Sequence, residues 1–407
     1  MDILIRKVRI KDGEELQDVA IEGGKIVAIA PHIEGTAHRE IDADGRVLIP
    51  GLVDSHIHLD KALIADRLPN KSGTLMEAIK VTGQLKPTFT KEDVEDRARR
   101  ALTMLIKNGT THIRTHSEFD PSQGFTGFET VMKLKQEFKD IIDIQVTAFP
   151  QEGIFKAPGT EEMMYQAMEM GADVVGGIPY NDSPAMDHID LVFEIAKKYN
   201  KPIDFHQDFK DDAEGITIEY ICDKTIKEGF QGRVSVGHLT SLGALPKEKL
   251  EPIIKKMKEA EISVMSLPAT DLHLGGRKDE YNVRRALTPV RTLRDGGVNM
   301  CIATNNIRNA FTPYGNGDLI QIAMLAVPTA HLGGADDLPT VLPMITTNPA
   351  KALGLKDYGL EVGKKADMVL LDTKVVKDAI IDIPDRLFVI KNGKITVETE
   401  KIVKFNF

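Results

Sequence analysis

Four histidines in this chain have types of neighbour and spacing that suit metal chemistry. His56 and His58 stand two residues apart at the end of the apolar run VLIPGLVDSHIH (47–58). In an extended strand that spacing sends both imidazoles to the same side. His206 closes the run PIDFHQD (202–208), and His238 closes RVSVGHL (233–239). A lone buried histidine is more often a hydrogen-bonded core residue than a ligand. Several converging imidazoles are a site for a divalent cation, and such an ion makes water a nucleophile near neutral pH.

Convergence of this kind needs a scaffold that ends several strands at one face. Eight apolar runs ending in polar residues fall at 47–58, 111–116, 143–149, 172–179, 202–208, 233–239, 261–268 and 298–306. Helical stretches lie between them, and that alternation predicts a parallel α/β structure. Eight strands is the number that closes a (β/α)8 barrel, whose active site lies where the strands end. The segment after Thr90 illustrates the helices. Thr90 and Asp93 make a capping pair. Val94, Ala98, Ala101, Leu102, Leu105 and Ile106 then recur at helical spacing, and Gly109 stops the run.

The two ends read differently. Residues 1–49 and 361–407 give short strands with turn signals, including Asn392-Gly393 as a hairpin turn. Neither end has enough apolar material for a core of its own. They are expected to combine into one small β-sandwich domain, leaving 50–360 as the barrel.

The chain has 407 residues, 42% hydrophobic and 28% charged, with a formal net charge of −9. That balance suits a soluble protein with a large core and argues against nucleic acid, whose phosphates need clustered Lys and Arg. No run approaches the ~18 apolar residues of a membrane span, and the opening MDILIRKVRIKDGEE lacks the apolar centre of a secretion signal. A cytoplasmic homo-oligomer acting on a small-molecule substrate is expected. Cys222 and Cys301, the two cysteines, read as reduced and packed.

Several motifs in order give the chain a family likeness. PGLVDSHIHLDKAL (50–63), AFPQEGI (148–154), GADVVGGIP (171–179), LHLGGR (272–277), PYGNGD (313–318) and LEVGKKADMVLLD (360–372) span almost its whole length. Together they resemble the amidohydrolase superfamily, in the branch of cytosine deaminase and its triazine-degrading relatives. The resemblance implies that His56, His58 and His206 ligate one zinc or iron ion. It implies that His238 lies beside the metal, and that Gln151 hydrogen-bonds the substrate's ring amide. The reaction it implies is attack by activated water on an sp2 carbon bonded to nitrogen, with ammonia or an amine leaving.

Two positions depart from the family pattern. The glutamate that shuttles protons after the fifth-strand histidine is replaced, because the run here is His206-Gln207-Asp208-Phe209. Phe209 has no exchangeable proton and is left as a substrate contact. The catalytic, metal-binding aspartate that ends the eighth strand aligns with Asn305, in Thr304-Asn305-Asn306-Ile307. An amide can offer a carbonyl oxygen but carries no charge and is no base at neutral pH. A weakly held metal is therefore expected. Asp208, two residues after His206, is expected to share its inward direction and to carry the proton instead.

Further candidates surround this set. His116 and Asn306 are expected to contact substrate. Asp60 and Lys61 read equally as catalytic groups or as a salt bridge under a loop. His273, Arg277 and Arg284 could hold a carboxylate or lie packed in a loop. A carbamylated lysine bridging two metals is disfavoured, since the fourth strand offers no lysine. The leading reading is hydrolysis of a non-peptide C–N bond in a small cyclic amide, amidine or aminated heterocycle. The alternatives are a nucleobase deaminase using Asp208 and an impaired member that only binds its ligand.

Overall fold

The computed structural model describes residues 1–406; Phe407, the last residue of the segment assigned to the sandwich, lies outside them. The chain begins with β1 (Ile3–Val8), β2 (Gln17–Glu22), β3 (Lys25–Ala30) and β4 (Arg39–Asp42), which form one sheet in the order β3-β2-β1-β4. The short β5 (Leu48–Pro50) then leaves that sheet for another.

Eight parallel strands follow and make the barrel wall. They are β6 (Leu52–Ile57), β7 (Thr110–Glu118), β8 (Asp143–Phe149), β9 (Val174–Gly177), β10 (Ile203–Gln207), β11 (Val234–His238), β12 (Ser263–Ser266) and β13 (Asn299–Ile302). Each pairs with the next in sequence, so the order β13 to β6 is unbroken. Every residue of β6, β7, β9, β10, β11 and β12 is buried, as expected for strands covered on both faces. The ring closes at the site. Asn305 N donates to the His56 carbonyl at 2.8 Å, and its own carbonyl accepts from His58 N at 2.9 Å.

Helices cover the outside of this wall. In helix Lys91–Lys107 the Thr90 side chain accepts from Asp93 N at 3.2 Å, and the six expected apolar residues are buried. Gly109 follows with φ +92°, a conformation that favours glycine and ends the helix. Arg97, on the same buried face, donates to the Asp60 and Ala62 carbonyls at 2.9 and 2.8 Å. A covering helix thus fixes the loop that follows His58.

The last strands are β14 (Met368–Leu371), β15 (Arg386–Lys391) and β16 (Lys394–Glu398), in a sheet ordered β16-β15-β14-β5. Asn392 and Gly393 make the tight β15–β16 turn with φ of +49° and +71°. Ile3, Ile5, Val19 and Ile21 from the first sheet share one core with Leu48, Met368, Leu370 and Ile390 from this one. Burying a Leu or Ile side chain contributes about 1.5–3 kcal/mol, so this shared core stabilises both sheets, while Ile49, Val369, Leu371 and Val389 pack into the barrel core. Cys222 and Cys301 are both free and buried. Among the described residues no helix is long and apolar enough to cross a membrane.

Candidate active site

His56 belongs to β6, and His58 follows its last residue. His206 lies one residue before the end of β10, and His238 ends β11. The four rings meet at the mouth of the barrel, each 3% exposed or less. His206 Nε2 lies 3.2 Å from His56 Nε2 and 3.1 Å from His58 Nε2. A single proton at His206 Nε2 cannot make two linear bonds, so the three rings do not satisfy one another. The Nδ1 atoms of all three are also buried without a hydrogen bond, His58 Nδ1 lying 3.9 Å from Glu118 Oε1. Burial first, and then the neighbouring imidazoles and Lys61, hold the pKa values of His56 and His58 well below 6.5; burial and the neighbouring imidazoles do the same for His206. Neutral rings with lone pairs aimed at one point fit a divalent cation. Gly237 leaves room for them, since a Cβ there would lie 2.7 Å from His56 Cε1.

Asn305 is pinned by its backbone between His56 and His58, and its Oδ1 is a buried acceptor with no hydrogen bond. That oxygen is available to a cation, though without the charge of a carboxylate. His238 is held differently. Its Nδ1 pairs with Asp271 Oδ1 at 2.7 Å, which leaves Nε2 for the cavity. Burial pushes the Asp271 carboxyl up, and the His238 interaction opposes that shift. Phe209 stacks on the His238 ring, with centroids 4.1 Å apart and planes 11° from parallel.

A narrow cavity of about 10 Å³, room for about one water, opens on this cluster. Its lining includes His58, His206, His238, Gln151, Lys61 and Asn306, with Phe209, Phe311 and Tyr180 as aromatic walls. Lys61 donates to the Glu118 carboxylate and, at 3.1 Å, to Gln151 Oε1. A larger groove lined by residues between Leu242 and Gly296 contains none of these histidines.

The model of the amidohydrolase family matches residues 39–397. The chain belongs to the amidohydrolase family. It is a hydrolase of carbon–nitrogen bonds other than peptide bonds. This amidohydrolase is 34% identical to N-isopropylammelide isopropyl amidohydrolase of Pseudomonas sp. (strain ADP), over 99% of this chain and 98% of that protein. Pterin deaminase of Rhizobium rhizogenes is 29% identical, over 93% and 87% of the two chains. Among solved structures, 5-methylcytosine deaminase from Klebsiella pneumoniae liganded with phosphonocytosine superposes with a TM-score of 0.95. That match has 33% identity and covers 99% of this chain and 100% of the other.

The fold brings His56, His58, His206, His238, Asn305, Asn306, Gln151 and Phe209 of the amidohydrolase to one place, and it corrects two other expectations. Asp208 does not face the cavity. Its backbone turns to φ +43°, and its carboxylate accepts from Thr217 N at 3.1 Å and Ile218 N at 3.2 Å. It caps the helix Ile218–Lys227, since alternation of side chains holds only while the strand stays extended and β10 ends at Gln207. His116 does not line the cavity either. β7 runs two residues beyond it, so His116 sits one layer below the mouth, 4.1 Å from the His56 ring and 3.2 Å from Asp204 Oδ1.

Asp60 and Lys61 are both buried. Asp60 accepts from Glu118 N at 2.7 Å. Arg284 pairs with Asp279 and donates to the Asp211 carbonyl, and Arg277 donates to the His273 and Ser72 carbonyls, so both tie surface loops together. Sequence reasoning missed Asp271 and Glu118. Asp271 lies in a helix following β12 and Glu118 at the end of β7, and neither has a distinctive spacing from its partner.

Proposed function

We propose that this amidohydrolase removes ammonia or an amine from a small nitrogen heterocycle, with His56, His58 and His206 holding one zinc or iron ion. The observation that carries the reading is the convergence of three neutral imidazoles, unsatisfied by one another, at the mouth of the barrel. When bound, the ion supplies a Lewis acid and a water nucleophile at neutral pH. His238, oriented by Asp271, presents Nε2 as the group that can take or give a proton. Phe209 and Phe311 offer apolar walls that exclude water from a ring substrate, with Gln151 and Asn306 as polar contacts. The relatives act, by name, on N-isopropylammelide, a pterin and 5-methylcytosine, which supports a heterocyclic substrate.

The runner-up, nucleobase deamination with Asp208 as proton carrier, is disfavoured because helix capping occupies that carboxylate. A different observation favours ligand binding without turnover: among the described residues no carboxylate lines the cavity. The proposal also takes the protein as a cytoplasmic homo-oligomer. It divides the chain into a β-sandwich of 1–49 with 361–407 and a barrel of 50–360, supported by the core that the small sheets share.

The test is elemental analysis of purified protein, followed by amine-release assays on N-isopropylammelide, 5-methylcytosine and pterin. Wild type is expected to carry sub-stoichiometric zinc or iron and to hydrolyse at least one such ring. Asn305→Asp is expected to raise metal occupancy, because it restores a charged ligand. No metal in either protein would overturn the metal centre, and metal without hydrolysis of any ring would favour the binding reading.

A further inference from the structure

The cavity wall beside His58 is built on a buried chain of charges that the proposed chemistry does not use. Lys86 opens the short turn Lys86–Thr88, directly after the helix Leu75–Leu85, and is 2% exposed. Its Nζ lies 2.7 Å from Glu118 Oε2 and 2.8 Å from Glu152 Oε1. The other Glu118 oxygen accepts from Lys61. Lys61 Nζ donates in turn to Gln151 Oε1 and lies 4.3 Å from the centre of the Phe311 ring. Both lysines are thus anchored on the one Glu118 carboxylate.

An ammonium has three donors and no acceptor. The end of the Gln151 amide that meets Lys61 must therefore be its oxygen, because a flipped amide would set an NH2 group against an ammonium. The three Lys61 protons are directed to Glu118, Gln151 and the Phe311 face, leaving Gln151 Nε2 as the hydrogen-bonding group on this wall. A free glutamine can serve a donor or an acceptor by rotating its amide. This one cannot.

We propose that Lys86, Glu118 and Lys61 are positioning residues that lock Gln151 as a hydrogen-bond donor. The site would then select rings that place a carbonyl oxygen or an unprotonated ring nitrogen against it, and reject rings that place an amino group there. The inference deepens the heterocycle reading and rests on it for the location of the substrate. Its test reads binding and not turnover, so the two can fail separately.

The probes are 2-pyrimidinone and 2-aminopyrimidine, titrated by calorimetry into the purified protein. Leaving a buried donor unpaired costs about 1–3 kcal/mol, so 2-pyrimidinone should bind roughly 10- to 100-fold more tightly. Lys61→Met frees the amide to rotate and should shrink that preference to within roughly threefold. Glu118→Gln should do the same in part, by loosening Lys61. Gln151→Glu, nearly the same shape and able to keep its contact with Lys61, should reverse the preference. Thermal melts identify any variant that fails to fold, and Gln151→Glu keeps the test open if Lys61→Met does. Equal affinities in wild type, no binding of either ring, or a preference unchanged in folded Lys61→Met would each overturn the inference. Selective binding, with no amine released from N-isopropylammelide, 5-methylcytosine or pterin, would uphold it while removing turnover from the proposed function.

Discussion

Two clusters of ligand-type residues lie at opposite ends of the barrel, and β7 contributes to both ends. At the mouth are His56, His58, His206 and His238. At the foot, His112, Asp143 and Asp367 also come close enough together to hold an ion. The foot already contains a cation. Lys391 Nζ donates to Asp143 Oδ2 at 2.8 Å and to Asp367 Oδ2 at 2.7 Å, and lies 3.4 Å from His112 Nε2. His112 Nδ1 pairs with Thr111 Oγ1 at 2.8 Å, and the other Asp367 oxygen accepts from Asn392 N. Burial pushes the Asp143 carboxyl up, but His112 and Lys391 together bring it below its usual range. Among the described residues the mouth sets no ammonium between its imidazoles, and it leaves Nδ1 of His56, His58 and His206 without a hydrogen bond. Proximity of ligand-type residues does not separate the two clusters. Whether the protein has balanced the charges and hydrogen bonds itself does. The foot reads as a tie between barrel and C-terminal strands, the mouth as a place for something added.

The sharpest way to break this comparison is to remove one group from each end. His206→Ala deletes the ring shared by both close contacts at the mouth. Metal retention should fall by more than the ~10–100-fold that losing an outer partner of a ligand costs, with little change in melting temperature. Metal content measured by elemental analysis and found equal to wild type would remove His206 from the ligand set.

Lys391→Met at the foot should do the opposite. It strands the buried Asp367 beside Asp143 without a cation, and breaking a buried pair in this way costs about 3–5 kcal/mol. Denaturant unfolding should show that loss, while metal content per folded molecule stays at the wild-type level. A foot that took up metal and kept its stability in this variant would erase the distinction between the two ends.

The smallest effect is expected at Asp208→Asn. An asparagine caps a helix about as well as an aspartate, so stability should change by less than roughly 0.5 kcal/mol. Turnover on any confirmed substrate should stay within about twofold, because the carboxylate faces Thr217 and Ile218. A drop of ~10²–10⁴-fold, the usual worth of an acid–base group, would return Asp208 to the chemistry.

Much of this could be seen in the sequence because it depends on local rules. The barrel strands are short apolar runs, buried on both faces, that end in polar residues. Thr90 announces its helix through a first-turn hydrogen bond, and Asn392-Gly393 announces its turn through the backbone conformations those residues tolerate. His56 and His58 could be paired because the chain stays in register across them, held by Asn305 three residues beyond β13. The same period-two rule failed three residues into another motif. Asp208 lies just past the last residue of β10, where a left-handed turn redirects its side chain.

The sequence by itself therefore determined the barrel and the four histidines at its mouth, since strand ends and their polar residues are local features with a fixed geometric consequence. Only the tertiary structure decided how those residues are used. Asp271 reaches His238 from 33 positions away, and Lys61 reaches Gln151 from 90. Lys391 crosses 248 positions to neutralise Asp143. Whether a buried polar group is satisfied, charged or left open depends on what the fold places within about 3 Å of it, and no spacing along the chain encodes that distance.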